Sequence, residues 1–251
     1  MKILLSGFCG KMGQTVFNCS KNFNNIEITE GFDRKEAIEN YNCQHNVSLI
    51  SDLNQSKNCD VVVDFSHFSN VNNVLDFCVK NNKPLVLATT GITAEIEENI
   101  AKASKNIPIF RSSNMSEGVF VLLNLINKAT SMLEGWDVEI VEKHHREKVD
   151  APSGTGYMML KEVKSVRDNV LEVIGRDKTS GKRKPEEVAI HSVRGGGIVG
   201  DHEINFISDS ESITISHQAF SKNIFADGAL KAATYIVNQQ PGLYSMKNLF
   251  E

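Results

Sequence analysis

Three absences restrict what this 251-residue chain can be. It has no stretch of about eighteen apolar residues, the length that a membrane-spanning helix requires, and its first apolar run is too short for the core of a signal peptide. Its formal net charge is -4, so it carries no basic excess for contacts with nucleic-acid phosphates. We therefore expect a cytoplasmic protein that binds neither membranes nor nucleic acids.

Cysteine is scarce, and no pair of cysteines has the Cys-x-x-Cys spacing. The five cysteines all lie in the first third of the chain: Cys9, Cys19, Cys43, Cys59 and Cys78. An odd number without a pairing motif is typical of reduced thiols in a cytosol and favours neither a disulfide framework nor a zinc site. Hydrophobic residues make up 41% and charged residues 23% of the chain, which indicates an ordinary folded protein.

Up to about residue 112, short apolar runs alternate with segments of helical period. This order is typical of βαβ units, so it predicts an α/β fold built on a Rossmann-like, doubly wound parallel sheet. The predicted strands are Lys2 to Ser6, Ile26 to Phe32, Asp60 to Phe65, Pro84 to Thr89 and Ile107 to Phe110. The predicted helices between them are Met12 to Ser20, Asn70 to Lys80 and Thr93 to Ser104.

From about residue 116 the pattern changes. A long apolar helix from Glu117 to Leu133 leads into runs that alternate with period two, first near Val138 and later near Ile213. Such alternation predicts a second, α+β domain with a mixed open sheet. A last helical segment, Phe225 to Ile236, cannot bury its apolar face alone, so we expect it to pack on the first domain.

A glycine-rich turn follows the first predicted strand. Gly7, Gly10 and Gly13 have the spacing GxxGxxG and precede a helical segment. Glycines at such a turn allow the main chain to approach a pyrophosphate, and the amino terminus of the helix offers N–H groups to the phosphates. The alternative is an ordinary strand-to-helix turn that needs glycine for backbone reasons alone.

Asp33 favours the dinucleotide interpretation. It lies twenty residues after Gly13, at the end of the next predicted strand, where its carboxylate can accept hydrogen bonds from ribose hydroxyls. Arg34 and Lys11 are cations that could instead meet a 2′-phosphate, although Arg34 could equally be a solvated surface charge. The residues therefore leave both NADH and NADPH open.

The segment from Glu142 to Gly156 is the richest in chemical groups. It places His144 and His145 at the end of a strand, Lys148 just beyond them, and a small-residue turn from Ser153 that opens a helix at Tyr157. An imidazole is a suitable general acid near neutral pH, and a helix start with a nearby lysine can hold a carboxylate. The alternatives are a solvated loop or a metal site, and the spacing of the two histidines does not favour metal.

Several stretches together resemble the dihydrodipicolinate reductase family, and the resemblance spans essentially the whole chain. The specific motif is Glu142-Lys143-His144-His145-Arg146-Glu147-Lys148-Val149-Asp150-Ala151-Pro152-Ser153-Gly154-Thr155. The other matching stretches are Gly7 to Gly13, Asp64-Phe65-Ser66, Ala88 to Gly91, Ser113 to Ser116, Arg194 to His202 and Pro241 to Met246.

The resemblance implies a homotetramer that reduces a small cyclic dicarboxylate with NADH or NADPH. It implies a dinucleotide-binding domain of residues 1–115 and 219–251 and a substrate-binding and oligomerisation domain of residues 116–218. His144 and Lys148 would be the catalytic residues, His144 as the general acid and Lys148 as the cation that holds a substrate carboxylate. His145, Ser153, Gly154 and Thr155 would bind substrate. The expected cofactor-binding residues are Gly7, Gly10, Lys11, Met12, Gly13, Asp33, Arg34, Phe65, Ala88, Thr89, Thr90, Gly91, Ser113, Asn114 and Met115.

Two positions depart from the family pattern. Lys11 and Lys222 stand where the family commonly has arginine. Lysine at position 11 removes a planar two-pronged donor from the region of a 2′-phosphate, so we expect dual cofactor use leaning to NADH. Two other functions are alternatives: an NADH-sensing protein without catalysis, and a dehydrogenase of the aspartate or homoserine pathway. A dehydrogenase of that kind that forms or reduces an acyl intermediate would need a cysteine nucleophile in its second domain, and this chain has none there.

Overall fold

The computed structural model describes residues 1–42 and 46–250. In chain order its strands are β1 (Lys2–Ser6), β2 (Glu27–Phe32), β3 (Ser48–Ile50), β4 (Val61–Asp64), β5 (Leu85–Leu87), β6 (Pro108–Arg111), β7 (Asp137–His144), β8 (Leu171–Ile174), β9 (Glu187–Arg194), β10 (Gly200–Ile207), β11 (Ser212–Ala219) and β12 (Gly242–Tyr244). Its helices are α1 (Lys11–Ser20), α2 (Lys35–Glu39), α3 (Val71–Lys80), α4 (Ala94–Ala103), α5 (Glu117–Met132), α6 (Gly154–Lys164) and α7 (Asn223–Ile236).

The chain forms two compact units. The first unit combines Met1–Ser116 with Lys222–Glu251, and the second unit is Glu117–Ser221. Within the described residues, no helix is both long and apolar enough to cross a membrane. Cys19, Cys59 and Cys78 are buried thiols outside any disulfide, whereas Cys43 lies outside the described residues.

The first unit is a doubly wound parallel sheet, as predicted. Its seven strands have the order β12-β6-β5-β4-β1-β2-β3, and every neighbouring pair is parallel. The five strands predicted from the sequence are all present, with ends that differ by at most two residues. The edge strands β3 and β12 were not predicted, because three residues are too few to show a periodic pattern.

Helices cover both faces of this sheet. Residues of α3 and α4 pack with Leu4, Val62 and Leu87, which point to one face. Alternate strand residues point the other way, towards the face on which α1 and α7 pack together. The close approach of α7 requires Gly228, because a Cβ there would lie 1.8 Å from the carbonyl oxygen of Met115. The prediction that the last long helix returns to the first unit is confirmed.

The second unit contains a mixed sheet with the order β11-β10-β7-β9-β8. The central strand β7 is antiparallel to β10 and parallel to β9, which confirms the predicted mixed sheet. Side chains of β7 alternate strictly: Val138 and Ile140 are buried under α5 and α6, and Glu142 and His144 continue on the same face. This alternation places two ionisable groups at one end of an otherwise apolar core.

Candidate active site

The glycine turn of the first unit connects β1 to α1. Gly7 has φ +81°, and a Cβ on it would lie 2.7 Å from the carbonyl oxygen of Phe65. A Cβ on Gly13 would lie 2.2 Å from the carbonyl oxygen of Gly7. Backbone geometry therefore requires two of the three glycines. Gly10 is the exposed N-cap residue of α1, so a ligand can approach the main chain at this helix end.

Asp33 lies against this turn. It follows β2, and its Oδ2 atom accepts a hydrogen bond from the N–H of Cys9 at 2.9 Å. Its Oδ1 atom accepts a hydrogen bond from the N–H of Arg34, also at 2.9 Å. Two cations near the turn are exposed: Lys11 in the first turn of α1, and Arg34 directly after Asp33. The turn therefore brings one anchored carboxylate and two exposed cations to the same end of the sheet.

The other expected cofactor-binding residues of the first unit follow the carboxyl ends of neighbouring parallel strands. Phe65 follows β4, Ala88 follows β5, and Ser113 lies just after β6. The carboxyl ends of parallel strands share one edge of the sheet, and this is where open α/β sheets bind ligands. Ala88, Thr89 and Met115 are buried at this edge, Phe65, Met12 and Asn114 are half-buried, and Thr90, Gly91 and Ser113 are exposed.

Asp64 is a buried carboxyl at this edge of the sheet, and no role for it was predicted from the sequence. Its Oδ2 atom accepts a hydrogen bond from the hydroxyl of Thr89 at 2.6 Å, and its Oδ1 atom accepts one from the N–H of Ser66 at 3.3 Å. Burial raises the pKa of Asp64, and these hydrogen bonds oppose the rise. Asp64 thus ties the chain after β4 to the chain after β5, which holds Thr89 in place.

The second unit holds His144 at the last position of β7, buried to 8% exposure. Its Nδ1 atom is 2.5 Å from Oε2 of Glu142, a side chain with no exposed surface. Arg194 donates from Nη1 to Oε2 of Glu142 at 2.9 Å and from Nη2 to Oε1 at 2.7 Å. The N–H of Ser153 also donates to Oε1, at 3.2 Å. Each oxygen of the Glu142 carboxylate therefore has two partners.

A further imidazole packs beside His144. The ring centroid of His202 on β10 is 5.1 Å from that of His144. The ring centroid of His217 on β11 is 6.2 Å from that of His202. Neither ring nitrogen of His202 has a hydrogen-bond partner in the part of the chain that the structure describes. Gly200 makes room for both rings, since a Cβ there would lie 3.1 Å from Nε2 of His144. We call His144, Glu142, Arg194 and His202 the His144 cluster.

Burial and hydrogen bonding shift the pKa values of three groups in the His144 cluster. Burial alone would raise the pKa of Glu142, but the hydrogen bonds from Arg194, Ser192 and His144 outweigh it and lower the pKa to about 2. Burial lowers the pKa of His144, opposed by its hydrogen bond to Glu142. Burial also lowers the pKa of His202, to about 4. At neutral pH the cluster thus contains a charged Glu142–Arg194 pair beside a neutral His202.

The remaining expected substrate residues follow β7. Lys148 forms an ion pair with Asp150, with 2.8 Å between Nζ and Oδ1, and His145 is half-exposed just past the end of the strand. Helix α6 begins at Gly154, earlier than the sequence predicted, with buried Ser153 as its N-cap. The Ser153 hydroxyl accepts from the N–H of Gly156 at 3.1 Å. Thr155 therefore lies in the first turn of the helix.

The links within the His144 cluster were not predicted from the sequence. Glu142 and Arg194 belong to stretches that resemble the family, but the residue pattern predicts no role for either. The spacing of Glu142 and His144 on a strand was a usable signal, because alternate residues share a face. Arg194 is 52 residues from Glu142, and only the pairing of β7 with β9 brings it there. No group of three or more His, Cys, Asp or Glu residues in the described part of the chain is arranged to hold a metal ion.

A parallel sheet with a glycine turn of the dinucleotide-binding type, joined to a second unit that carries a buried histidine, is typical of nicotinamide-dependent oxidoreductases. The model described as dihydrodipicolinate reductase, N-terminus, matches residues 1–115, and the one described as dihydrodipicolinate reductase, C-terminus, matches residues 118–250. The chain belongs to the dihydrodipicolinate reductase family.

Relatives named 4-hydroxy-tetrahydrodipicolinate reductase match over the full length. The one from Caldanaerobacter subterraneus subsp. tengcongensis is 43% identical over 251 residues, covering 99% of this chain and 98% of the relative. The one from Clostridium botulinum is 41% identical over 252 residues, with the same coverage of 99% and 98%.

Solved structures agree. Dipicolinate-bound dihydrodipicolinate reductase from Paenisporosarcina sp. TG-14 has a TM-score of 0.80 at 25% identity, covering 99% of this chain and 98% of that one. A scyllo-inositol dehydrogenase from Lactobacillus casei with bound NAD(H) has a TM-score of 0.62 at 11% identity, covering 99% and 92%, and shows the fold alone.

Proposed function

We propose that the chain uses NADH or NADPH to reduce dihydrodipicolinate, formed from 4-hydroxy-tetrahydrodipicolinate, to tetrahydrodipicolinate in lysine and diaminopimelate biosynthesis. The observation that carries this proposal is the buried His144, held by Glu142 next to Lys148 and to the amino terminus of α6. An acid beside an anion site suits a substrate that carries carboxylates and must be protonated on carbon. The relatives give no support to the alternative of an NADH sensor without catalysis.

The first unit is the proposed cofactor-binding unit. The turn at Gly7, Gly10 and Gly13 suits a pyrophosphate, because glycine leaves its main chain accessible at the helix end. Asp33 is the proposed acceptor for ribose hydroxyls, since its carboxylate is anchored beside the turn. Residues after β5 and β6 would line the nicotinamide and its ribose: Thr89, Thr90, Gly91, Ser113, Asn114 and Met115. The bound cofactor supplies a hydride to one carbon of the substrate ring.

In the second unit, His144 is the proposed general acid. Hydride addition leaves negative charge on a conjugated imine or enamine, and a proton must reach the adjacent ring carbon. His144 would give that proton. Burial lowers the pKa of His144 in the free chain, whereas a bound dicarboxylate would favour the charged imidazolium. Substrate binding would therefore raise the pKa of His144 and increase the fraction of the imidazole that carries the proton to be transferred.

Substrate carboxylates are the proposed ligands of Lys148, His145 and the start of α6. The Lys148 ammonium is now paired with the exposed Asp150, a partner that a bound carboxylate can replace. Gly154 and Thr155 add main-chain N–H groups at a helix amino terminus, where anions are favoured. Ser153 contributes its buried hydroxyl at the N-cap.

The cofactor preference follows from charge near the turn. We expect dual use that leans to NADH, because the anchored Asp33 carboxylate repels a 2′-phosphate and Lys11 offers it only a point charge. Arg34, exposed beside Asp33, accounts for retained use of NADPH.

Assembly and location complete the proposal. We infer a cytoplasmic homotetramer, with the second unit responsible for oligomerisation. In support, α5 and α6 both pack on the face of the mixed sheet that carries Ile140, whereas residues such as Val141 point to the other face and are only half-buried. Light scattering coupled to size exclusion should report four chains, and a monomer would contradict the inference.

The proposed activity is tested by a coupled assay. Dihydrodipicolinate is generated freshly by the preceding enzymatic condensation, and oxidation of NADH and of NADPH is followed by absorbance. We expect turnover with both cofactors and a higher kcat/KM with NADH. No oxidation of either cofactor, with a folded protein, would remove the proposed function.

A further inference from the structure

We propose that Glu142 and Arg194 act together as a positioning pair for His144. Arg194 holds the Glu142 carboxylate in place as an ion, and Glu142 holds the His144 imidazole with a proton on Nδ1, so that Nε2 is the atom that gives up its proton. In this proposal neither Glu142 nor Arg194 contacts the substrate. The inference rests on the proposed function, because it takes His144 as the general acid.

The Glu142 carboxylate needs Arg194 to remain charged. A carboxylate without exposed surface is costly to bury unless it is paired and fully hydrogen-bonded. The two-pronged contact of the guanidinium with both oxygens meets that need with fixed geometry. Arg194 is itself oriented by donating to the carbonyl oxygen of Asp150 at 2.6 Å.

The position of the imidazole follows from this carboxylate. With Nδ1 2.5 Å from Oε2, Nδ1 keeps its proton and donates it to the Glu142 carboxylate in both the charged and the neutral imidazole. Only the proton on Nε2 can then be transferred. The Nε2–H bond of the imidazolium breaks, a C–H bond forms on the substrate ring, and the imidazole becomes neutral. Gly200 leaves the space beside Nε2 open, because a Cβ there would come within 3.1 Å.

The same carboxylate links the acid to the anion site. Oε1 of Glu142 accepts from the N–H of Ser153, the N-cap residue of α6. The ring of His144 and the helix start proposed to hold a substrate carboxylate therefore share one anchor. This common anchor sets the distance between the acid and the bound substrate.

Four charged or titratable groups face the imidazole. Glu142 lies on its own strand and favours the imidazolium, while Lys148 in the following turn and Arg194 on β9 oppose it. His202 on β10 packs against the ring, with His217 on β11 behind it. The first turn of α6 carries no acidic side chain. Glu142 is therefore the group whose loss should lower the affinity of His144 for a proton.

The experiment compares Glu142→Gln with Glu172→Gln, a matched control in the same sheet whose carboxylate pairs with Lys164 on the surface. Ring nitrogen NMR of the full chain, without substrate, gives the pKa of His144. We expect Glu142→Gln to lower this pKa by about one unit, as loss of an adjacent opposite charge does. Above that pKa, one unit reduces the protonated fraction tenfold. The kcat/KM for dihydrodipicolinate should therefore fall about tenfold, with its alkaline limb moved to lower pH.

Arg194→Lys is the second variant. Lysine keeps the charge but cannot bridge both oxygens, so we expect a smaller fall in kcat, about threefold, with unchanged affinity for the cofactor. If Glu142→Gln does not fold, this variant decides the question. Wild-type kcat and an unmoved Nδ1 signal in Arg194→Lys would then overturn the proposal.

An unchanged His144 pKa in a folded Glu142→Gln protein would also overturn it. A lowered pKa combined with a wild-type chain that does not turn over dihydrodipicolinate would support the pairing and reject the proposed function. The substrate-free NMR measurement keeps these two failures apart.

Discussion

The glycine turn of the first unit and the His144 cluster of the second solve different problems. At the turn, Gly7 and Gly13 are set by contacts with main-chain atoms 2.2 to 2.7 Å from the position of an absent Cβ. In the cluster, side chains from β7, β9 and β10 are set by hydrogen bonds and by strand register. The geometry of the turn therefore depends on the absence of two side chains, and the geometry of the cluster depends on hydrogen bonds between side chains.

The largest expected effect comes from His144→Gln. Loss of a general acid typically costs roughly 100- to 10,000-fold in turnover, so we expect kcat to fall within that range. Affinity for NADH should stay unchanged, because the expected cofactor-binding residues lie in the first unit. Steady-state kinetics and fluorescence titration of NADH measure the two quantities. A kcat within threefold of wild type would take the acid role away from His144.

Gly13→Ala tests whether the glycine turn tolerates a side chain. The added Cβ would lie 2.2 Å from the carbonyl oxygen of Gly7, so the main chain must move. We expect a loss of about 3 kcal/mol in the free energy of unfolding, typical of overpacking, and a strong loss of NADH affinity. Urea unfolding checks the first expectation. Gly197→Ala is the control, because nothing lies within 4 Å of its added Cβ. Equal stability of the two variants would show that the turn tolerates a side chain.

Acid should destabilise the protein through the His144 cluster. His202 has a folded pKa of about 4 against an ordinary 6.5, so below pH 6.5 the unfolded chain binds a proton that the folded chain does not. Stability is therefore lost as pH falls from 6.5 to 4, by on the order of 3 kcal/mol. Glu142, with its pKa lowered from 4.5 to about 2, extends the loss below pH 4.5.

Urea unfolding at pH 7.5, 5.5 and 4.5 measures this loss, and His202→Asn should flatten it between pH 6.5 and 4. His67→Asn, an exposed histidine of the first unit, serves as the control. An identical pH profile for wild type and His202→Asn would show that His202 does not titrate as a buried neutral group.

The smallest expected effect is on cofactor choice. Lys11→Arg restores a planar donor near the position of a 2′-phosphate, and we expect the ratio of kcat/KM for NADPH to that for NADH to rise a few-fold. The anchored Asp33 carboxylate should limit the gain. Lys21→Arg, on the surface after α1, is the control. An unchanged ratio would contradict a contact between Lys11 and the 2′-phosphate of bound NADPH.

Much of the first unit could be predicted because its signals are local. The strand, the glycine spacing and the start of α1 lie within about fifteen residues, and Asp33 follows one βα unit later. The short strands β3 and β12 escaped prediction because they join the sheet only by pairing with β2 and β6. The start of α6 was placed too late, since Ser153 caps the helix through a hydrogen bond that composition does not reveal.

The sequence by itself determined the class of fold, the glycine turn and the segment that contains the proposed acid, because each depends on residues close together in the chain. Tertiary structure alone decided which groups surround His144. Arg194 reaches Glu142 across 52 residues through the parallel pairing of β7 with β9, and His202 arrives through the antiparallel pairing with β10. Register is a property of the whole sheet, and burial within it lowers the pKa of His144 and of His202. These pKa shifts and the proposed positioning pair therefore exist only in the folded chain.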